Sequence, residues 1–221
     1  MKEQSSEKHL RRKILEELRE IKNKNLPPVE ENWDLIWVLS GPETTFTEEP
    51  TVNPNVNENA QRIITAIRIS KEVAALRVPK KISDVNLDDI ERFGPEIFFN
   101  GSMEQNDDLN NLIKDKYFDK NYGFPGQNII VSPNSQIEHT KHQFDDFPQT
   151  FVNNNRRIII VTDVYHIPRS KRYPGIDQIA IPKDKLVFYP SQPFQIPLRR
   201  AISESIKIPN YIAKGDLPDE Q

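Results

Sequence analysis

Along this chain, short apolar runs alternate with stretches in which apolar residues return every three or four positions. The runs Asp34 to Leu39, Glu96 to Asn100, Asn128 to Val131, Arg157 to Thr162 and Leu186 to Tyr189 have the length and apolar density of strands buried on both faces. Helical spacing of Ala60, Ile63, Ile64, Ile67 and Ala74 predicts a helix over 57–76, with Asn55 or Asn57 as its cap. Further helices are predicted near 107–118 and 138–147, in a short stretch starting near His166, and over 199–212. Strands separated by helices imply βαβ crossovers, so the predicted fold class is α/β, with a mainly parallel five-stranded sheet covered on both faces.

One more helix precedes this alternation. Residues 5–24 carry Leu10, Ile14, Leu18 and Ile21 at helical spacing, Ser5 or Ser6 can cap them, and Pro27 and Pro28 end the ladder. The expected division is an N-terminal helix with a proline linker over 1–30, packed as an addition on an α/β domain over 31–221. In open parallel sheets, ligands bind beyond the carboxyl ends of the strands where the strand order reverses. An order of 3-2-1-4-5 would set the loops after the first and fourth strands side by side, bringing Ser40 and Gly41 close to Thr162, Asp163, Tyr165, His166 and Arg169.

Composition narrows the chemistry more than the fold. A chain of 221 residues supports one substantial core. With no cysteine, disulfides, thiolate metal sites and a cysteine nucleophile are excluded, and the expected location is the cytoplasm. The longest aliphatic run, Ile158 to Val161, is far too short to span a bilayer, which takes about 20 residues. A net charge of −3 argues against general nucleic-acid binding. Charge is nonetheless uneven: residues 156–214 hold eleven Lys/Arg against four Asp/Glu, net +7, leaving −10 for the remainder. Such a bias favours a small anionic ligand, although a solvated basic face is the commoner origin of a cluster. Walker, Gly-x-Gly-x-x-Gly and Gly-x-Ser-x-Gly loops do not occur.

The segment IIIVTDVYHIPRSKR carries the densest candidate chemistry, because a buried strand runs directly into ionisable side chains. His166 can exchange a proton near neutral pH, Arg169 can hold a phosphate or carboxylate through its planar fork, and Thr162 and Asp163 can position a hydroxyl. His139 and His142, followed by Asp145 and Asp146, have a spacing compatible with metal ligation. Histidines in a polar segment are more often surface residues, and no metal is assigned to them. Trp33 and Trp37 are expected to pack in or beside the core.

The same segment resembles the signature of the YdcF-like family, which includes the SanA and ElyC proteins: hydrophobics, Val-Thr, a short gap, Tyr-His, two residues, Arg and a small residue. DLIWVLSGP is similar to the family's first strand and loop, and Arg62 in NENAQRIITAI falls where the family carries an arginine. EIFFNGS, GFPGQNIIVSPNS and ESIKIPNYIAKGDL are similar to three further blocks, so the likeness runs from about Asp34 to Leu217. Asn100, Gly101 and Ser102 stand in place of Ser-Gly-Gly, Ser132 in place of a frequent glutamate, and a Ser-x-x-Thr-x-x-Asn loop is stretched to Ser135, Thr140 and Gln143.

This resemblance implies a Rossmann-like sheet and a polar pocket formed by Ser40, Gly41, Arg62, Gly101, Ser102, Ser135, Thr140, Thr162, Tyr165, His166 and Arg169. Backbone amides at Gly41 and Gly101 would approach an anion, Arg62 and Arg169 would supply charge, and His166 would act as acid or base. It implies a phosphorylated or nucleotide-like ligand and, as a cofactor by resemblance alone, S-adenosylmethionine. Two function classes follow: an enzyme acting at a phosphoryl centre by hydrolysis or group transfer, or a non-catalytic metabolite-sensing or protein-interaction module. The N-terminal helix would be the contact surface of the second, for a protein partner that the sequence does not identify.

Overall fold

A computed structural model of the chain describes residues 2–23, 26–41, 46, 57–134, 136–153, 156–173, 182, 185–191, 198–214 and 217. The predicted site residue Ser135 and the alternative cap Asn55 lie outside them. Five strands form one sheet: β1 (Leu35–Leu39), β2 (Glu96–Asn100), β3 (Ile129–Val131), β4 (Ile158–Thr162) and β5 (Leu186–Pro190). All neighbouring pairs are parallel, in the order β3-β2-β1-β4-β5. The predicted α/β class and strand order are therefore observed, and the order reverses between β1 and β4.

The strands are apolar throughout because both faces of the sheet are covered. Side chains alternate along a strand, so Ile36 and Val38 of β1 enter one core while Leu35, Trp37 and Leu39 enter the other. The first core is closed by α2 (Glu58–Arg77), α3 (Leu87–Phe93), α4 (Met103–Lys114) and α5 (Tyr117–Tyr122), through Ile63, Ile67, Ile90, Leu109 and Phe118. The second is closed by α1 (Lys2–Asn23), α6 (Thr140–Asp145) and, at the C-terminal end, α9 (Leu198–Ala213). Ile14 and Leu18 of α1, Phe144 of α6 and Ile208 of α9 all meet there. Trp37 is fully buried, edge-on to Phe144 at 4.9 Å between ring centres, which agrees with its expected core role. Two short helices, α7 (Gln149–Asn153) and α8 (Ile167–Ser170), flank β4.

Local chemistry accounts for where the helices start. Asn57 caps α2, its side chain accepting from the amide of Ala60 at 3.0 Å. Helix α4 begins four residues before the predicted start because Ser102 and Gln105 form a reciprocal capping box. Asn86 and Asp89 do the same for α3, a helix the periodicity did not predict. At seven residues α3 is too short for an apolar pattern to develop, so the cap was its only signal.

The charge imbalance resolves into pairs that join the basic segment to the acidic remainder. Arg156 bonds Glu96 at 3.2 Å, Arg157 bonds Glu30 at 3.0 Å, and Arg172 bonds Glu17 of α1 at 2.9 Å. These three arginines of the basic segment thus tie it to the rest of the chain. Among the described residues, no helix is long and apolar enough to cross a membrane.

Candidate functional site

A cleft of about 260 Å³ opens beyond the carboxyl ends of β1 and β4, at the reversal of strand order. Ser40 and Gly41 line it from the β1 side, Tyr165, His166 and Arg169 from the β4 side, and Thr140 and Gln143 from α6. A larger hollow of about 530 Å³ lies against the C-terminal turn of α2, lined by Val29, Leu76, Ile82 and three charged residues. It contains no imidazole, hydroxyl or arginine, whereas the smaller cleft holds all three.

The β4 side is shaped by a 3-10 turn, Val164–His166, that runs into α8 with Pro168 in its first turn. This turn brings His166 and Arg169 together: Nη2 of Arg169 bonds Nε2 of His166. A guanidinium only donates, so Nε2 is the acceptor in this contact, and Nδ1 lies 3.5 Å from the Thr162 hydroxyl oxygen. Arg169 is buried, and its Nη1 lies 3.3 Å from Glu204 of α9, itself 1% exposed. Lys207 reaches the other oxygen of Glu204 at 3.3 Å, and the Tyr211 ring lies 5.7 Å from the Arg169 guanidinium. The cleft therefore holds two cations, Arg169 and Lys207, among three carboxylates, Glu58, Glu138 and Glu204.

Arg62 has a different place from the one the resemblance implies. It is fully buried, donates to the Leu39 carbonyl at 2.7 Å and to the Asp163 carboxylate, and is not among the residues lining the cleft. Asp163 also accepts from the Ser191 hydroxyl and from Tyr165. Burial alone would raise the Asp163 carboxyl; the Arg62 guanidinium and these hydrogen bonds outweigh it and hold the group below the usual carboxylate range. Burial, reinforced by the negative charge of Asp163, pushes the Tyr165 phenol above its ordinary value, so it stays protonated and can donate. Arg62 and Asp163 brace β1, α2 and the β4 turn under the cleft.

The two glycines are also structural. The Gly41 amide is already bonded to the Asn59 side chain at 2.6 Å and the Gly101 amide to that of Asn106 at 3.0 Å, so neither is open to an anion. A Cβ at Gly101 would meet the Phe99 ring at 2.6 Å, which is why no side chain fits there. Ser102 serves as the α4 cap, and neither residue lines the cleft. Thr162 is fully buried at the end of β4, in reach of the cleft only through His166. We expect Gly101→Ala to lower stability by about 1–3 kcal/mol in chemical denaturation.

The positions that depart from the family pattern hold the loops to one another. Asn100 accepts from the Trp37 indole at 2.9 Å and donates to the Gln143 carbonyl at 2.6 Å. Gln143 in turn bonds both the amide of Ser40, at 3.1 Å, and its hydroxyl. The Ser132 hydroxyl donates to Asp146 at 2.7 Å. Sequence reasoning did not place Glu58, Glu138, His139, Tyr173, Glu204, Lys207 or Tyr211 in the cleft, and it matched Gln143 to the stretched loop without assigning it to the site. Only the spacing of Glu58 and Arg62, one helical turn apart, carried a signal. No family model matches the chain, and no curated protein or solved structure matches it significantly either.

Proposed function

We propose that the cleft binds a small phosphorylated or nucleotide-like molecule, with Arg169 and Lys207 holding its anionic group. The observation that carries this reading is the convergence of Arg169, His166, Tyr165 and Glu58 in one cleft at the strand ends where the sheet order reverses. The mixed lining suits a ligand with two kinds of group: the cations take phosphoryl oxygens, and carboxylates such as Glu58 accept from hydroxyls of a sugar-like part. At about 260 Å³ the cleft suits a mononucleotide or a sugar phosphate better than a dinucleotide. The resemblance of IIIVTDVYHIPRSKR to the YdcF-like signature agrees with such a ligand.

Arg169 links binding to the one imidazole in reach. Its Nη2 contacts Nε2 of His166. A phosphoryl group that draws the guanidinium toward itself releases Nε2 to take a proton from an attacking hydroxyl or water. As the new P–O bond forms, the bond from phosphorus to the ligand's leaving oxygen breaks, that oxygen departs with the proton returned by the imidazolium, and the cations offset charge developing on the phosphoryl oxygens. A ligand that leaves the Arg169–His166 contact in place makes the same cleft a metabolite sensor without turnover.

The test is a thermal-shift screen against nucleotides, sugar phosphates, polyprenyl-phosphate analogues and S-adenosylmethionine, followed by a turnover assay on any hit. Wild type is expected to gain several degrees with a phosphorylated compound. Arg169→Gln and Lys207→Ala, each compared with its own ligand-free transition, are expected to lose most of that gain. Lys207 is half exposed, so its variant folds even where loss of Arg169 weakens the α8–α9 packing. Equal shifts in wild type and both variants, or no shift with any anion, would overturn the reading. Turnover that is abolished in His166→Gln with binding retained separates the enzyme from the sensor.

A further inference from the structure

We propose that Glu138, His139 and His142 form a binding site for a divalent transition metal of the zinc class at the lip of the cleft. One ligand atom from each of the three lies within 4.8 Å of the others. A tetrahedral zinc with bonds of about 2.0–2.2 Å spaces its ligand atoms by roughly 3.4 Å, so closure takes side-chain rotations of about an ångström. The side chains are free to make such rotations: Glu138 and His139 are exposed and His142 half-buried. Their backbone is not free, because Ile137, Thr140, Gln143 and Phe144, interleaved with the three, are all buried.

Local geometry favours this set over the one that spacing alone offers. His139 precedes α6 in an extended conformation and His142 lies in its first turn, which stacks the two rings at 3.9 Å between centres. Glu138 joins them from the preceding residue, and its amide contacts Nδ1 of His142 at a long 3.4 Å, which leaves the imidazole only weakly held. Asp146 is turned away, its two oxygens taken by Ser132 at 2.7 Å and Asn134 at 2.8 Å. Two imidazoles and one carboxylate select zinc, nickel or cobalt over magnesium and calcium, which prefer all-oxygen sites. Three protein ligands leave a tetrahedral position open, and Glu138 and His139 both line the cleft, so that position is within reach of a ligand there.

The test does not depend on what the cleft binds: it uses the full, untagged chain with metal alone. Titration with Co2+ followed by visible absorption, and with Zn2+ by calorimetry, is expected to show one site of micromolar affinity or better. Removal of an outer-sphere partner already costs roughly 10–100-fold in metal affinity. His139→Ala and His142→Ala are therefore expected to weaken binding at least that much, and Glu138→Gln to weaken it measurably. His9→Ala serves as the control and is expected to bind as wild type does. All four positions are exposed or half-buried, and circular dichroism checks that each variant folds. Absence of saturable binding in wild type, or equal affinity in wild type, His139→Ala and His142→Ala, would overturn the site. Failure of the phosphorylated-ligand screen would leave this titration unchanged, so the two proposals fail separately.

Discussion

Asp163→Ala is expected to destabilise the fold by about 3–5 kcal/mol, measured by urea denaturation at neutral pH. The cost arises because Arg62 is fully buried and keeps its charge, so removal of the carboxylate takes away its direct charge partner and leaves the cation with the Leu39 carbonyl and the more distant Glu58, 3.7 Å away. Arg62→Met/Asp163→Asn is expected to cost less than the two single losses together, since no uncompensated charge remains. The pH dependence has a definite sign. The folded-state value of Asp163 is depressed, so its contribution is complete above the unfolded value of about 3.9 and is lost as pH falls through the folded value. Wild type should therefore lose stability steeply below about pH 4, and Asp163→Asn should show a flatter acid limb. Equal acid limbs in the two proteins would remove Asp163 from that role.

Ile14→Ala is expected to cost about 2–5 kcal/mol by the same measurement. Ile14 is fully buried and Leu18 nearly so, against strand residues of the second core and Ile208 of α9. Glu17 adds an ion pair to Arg172, just past α8. Helix α1 thus helps close one face of the sheet, with Ile14 and Leu18 at the centre of its apolar stripe buried there and Leu10 and Ile21 half-buried at its ends. Deleting residues 1–26 should unfold or broadly destabilise the protein, and would not test the interaction-module reading. A change below about 0.5 kcal/mol in Ile14→Ala, the range of ordinary surface substitutions, would show that α1 adds little to the fold.

Local pattern made much of the architecture legible. Strand runs such as Asp34 to Leu39 and Arg157 to Thr162 are continuous apolar segments because both sheet faces are covered, and the observed strands match them to within a residue or so. The α2 helix and its Asn57 cap were equally plain, since capping and helical periodicity act over three or four residues. The junction at Thr162 to Arg169 was visible for a similar reason: ionisable residues directly after a buried strand must lie at its carboxyl end.

What the tertiary structure alone decided are pairings between distant positions. Arg62 and Asp163 lie 101 residues apart, and nothing local tells an arginine that braces a sheet from one that holds a ligand. The glycine amides at 41 and 101 were open to an anion until Asn59 and Asn106 were seen to take them. Glu204 and Lys207 enter the cleft because α9 packs beside α8, and Gln143 because α6 sits over the end of β1. By itself, then, the sequence determined the strands, the crossovers and the end of the sheet where a site belongs, through interactions only a few residues in reach. Which polar groups face that site and which are consumed in holding it was decided by the three-dimensional packing, because a buried charge or amide takes whatever partner the fold brings to it.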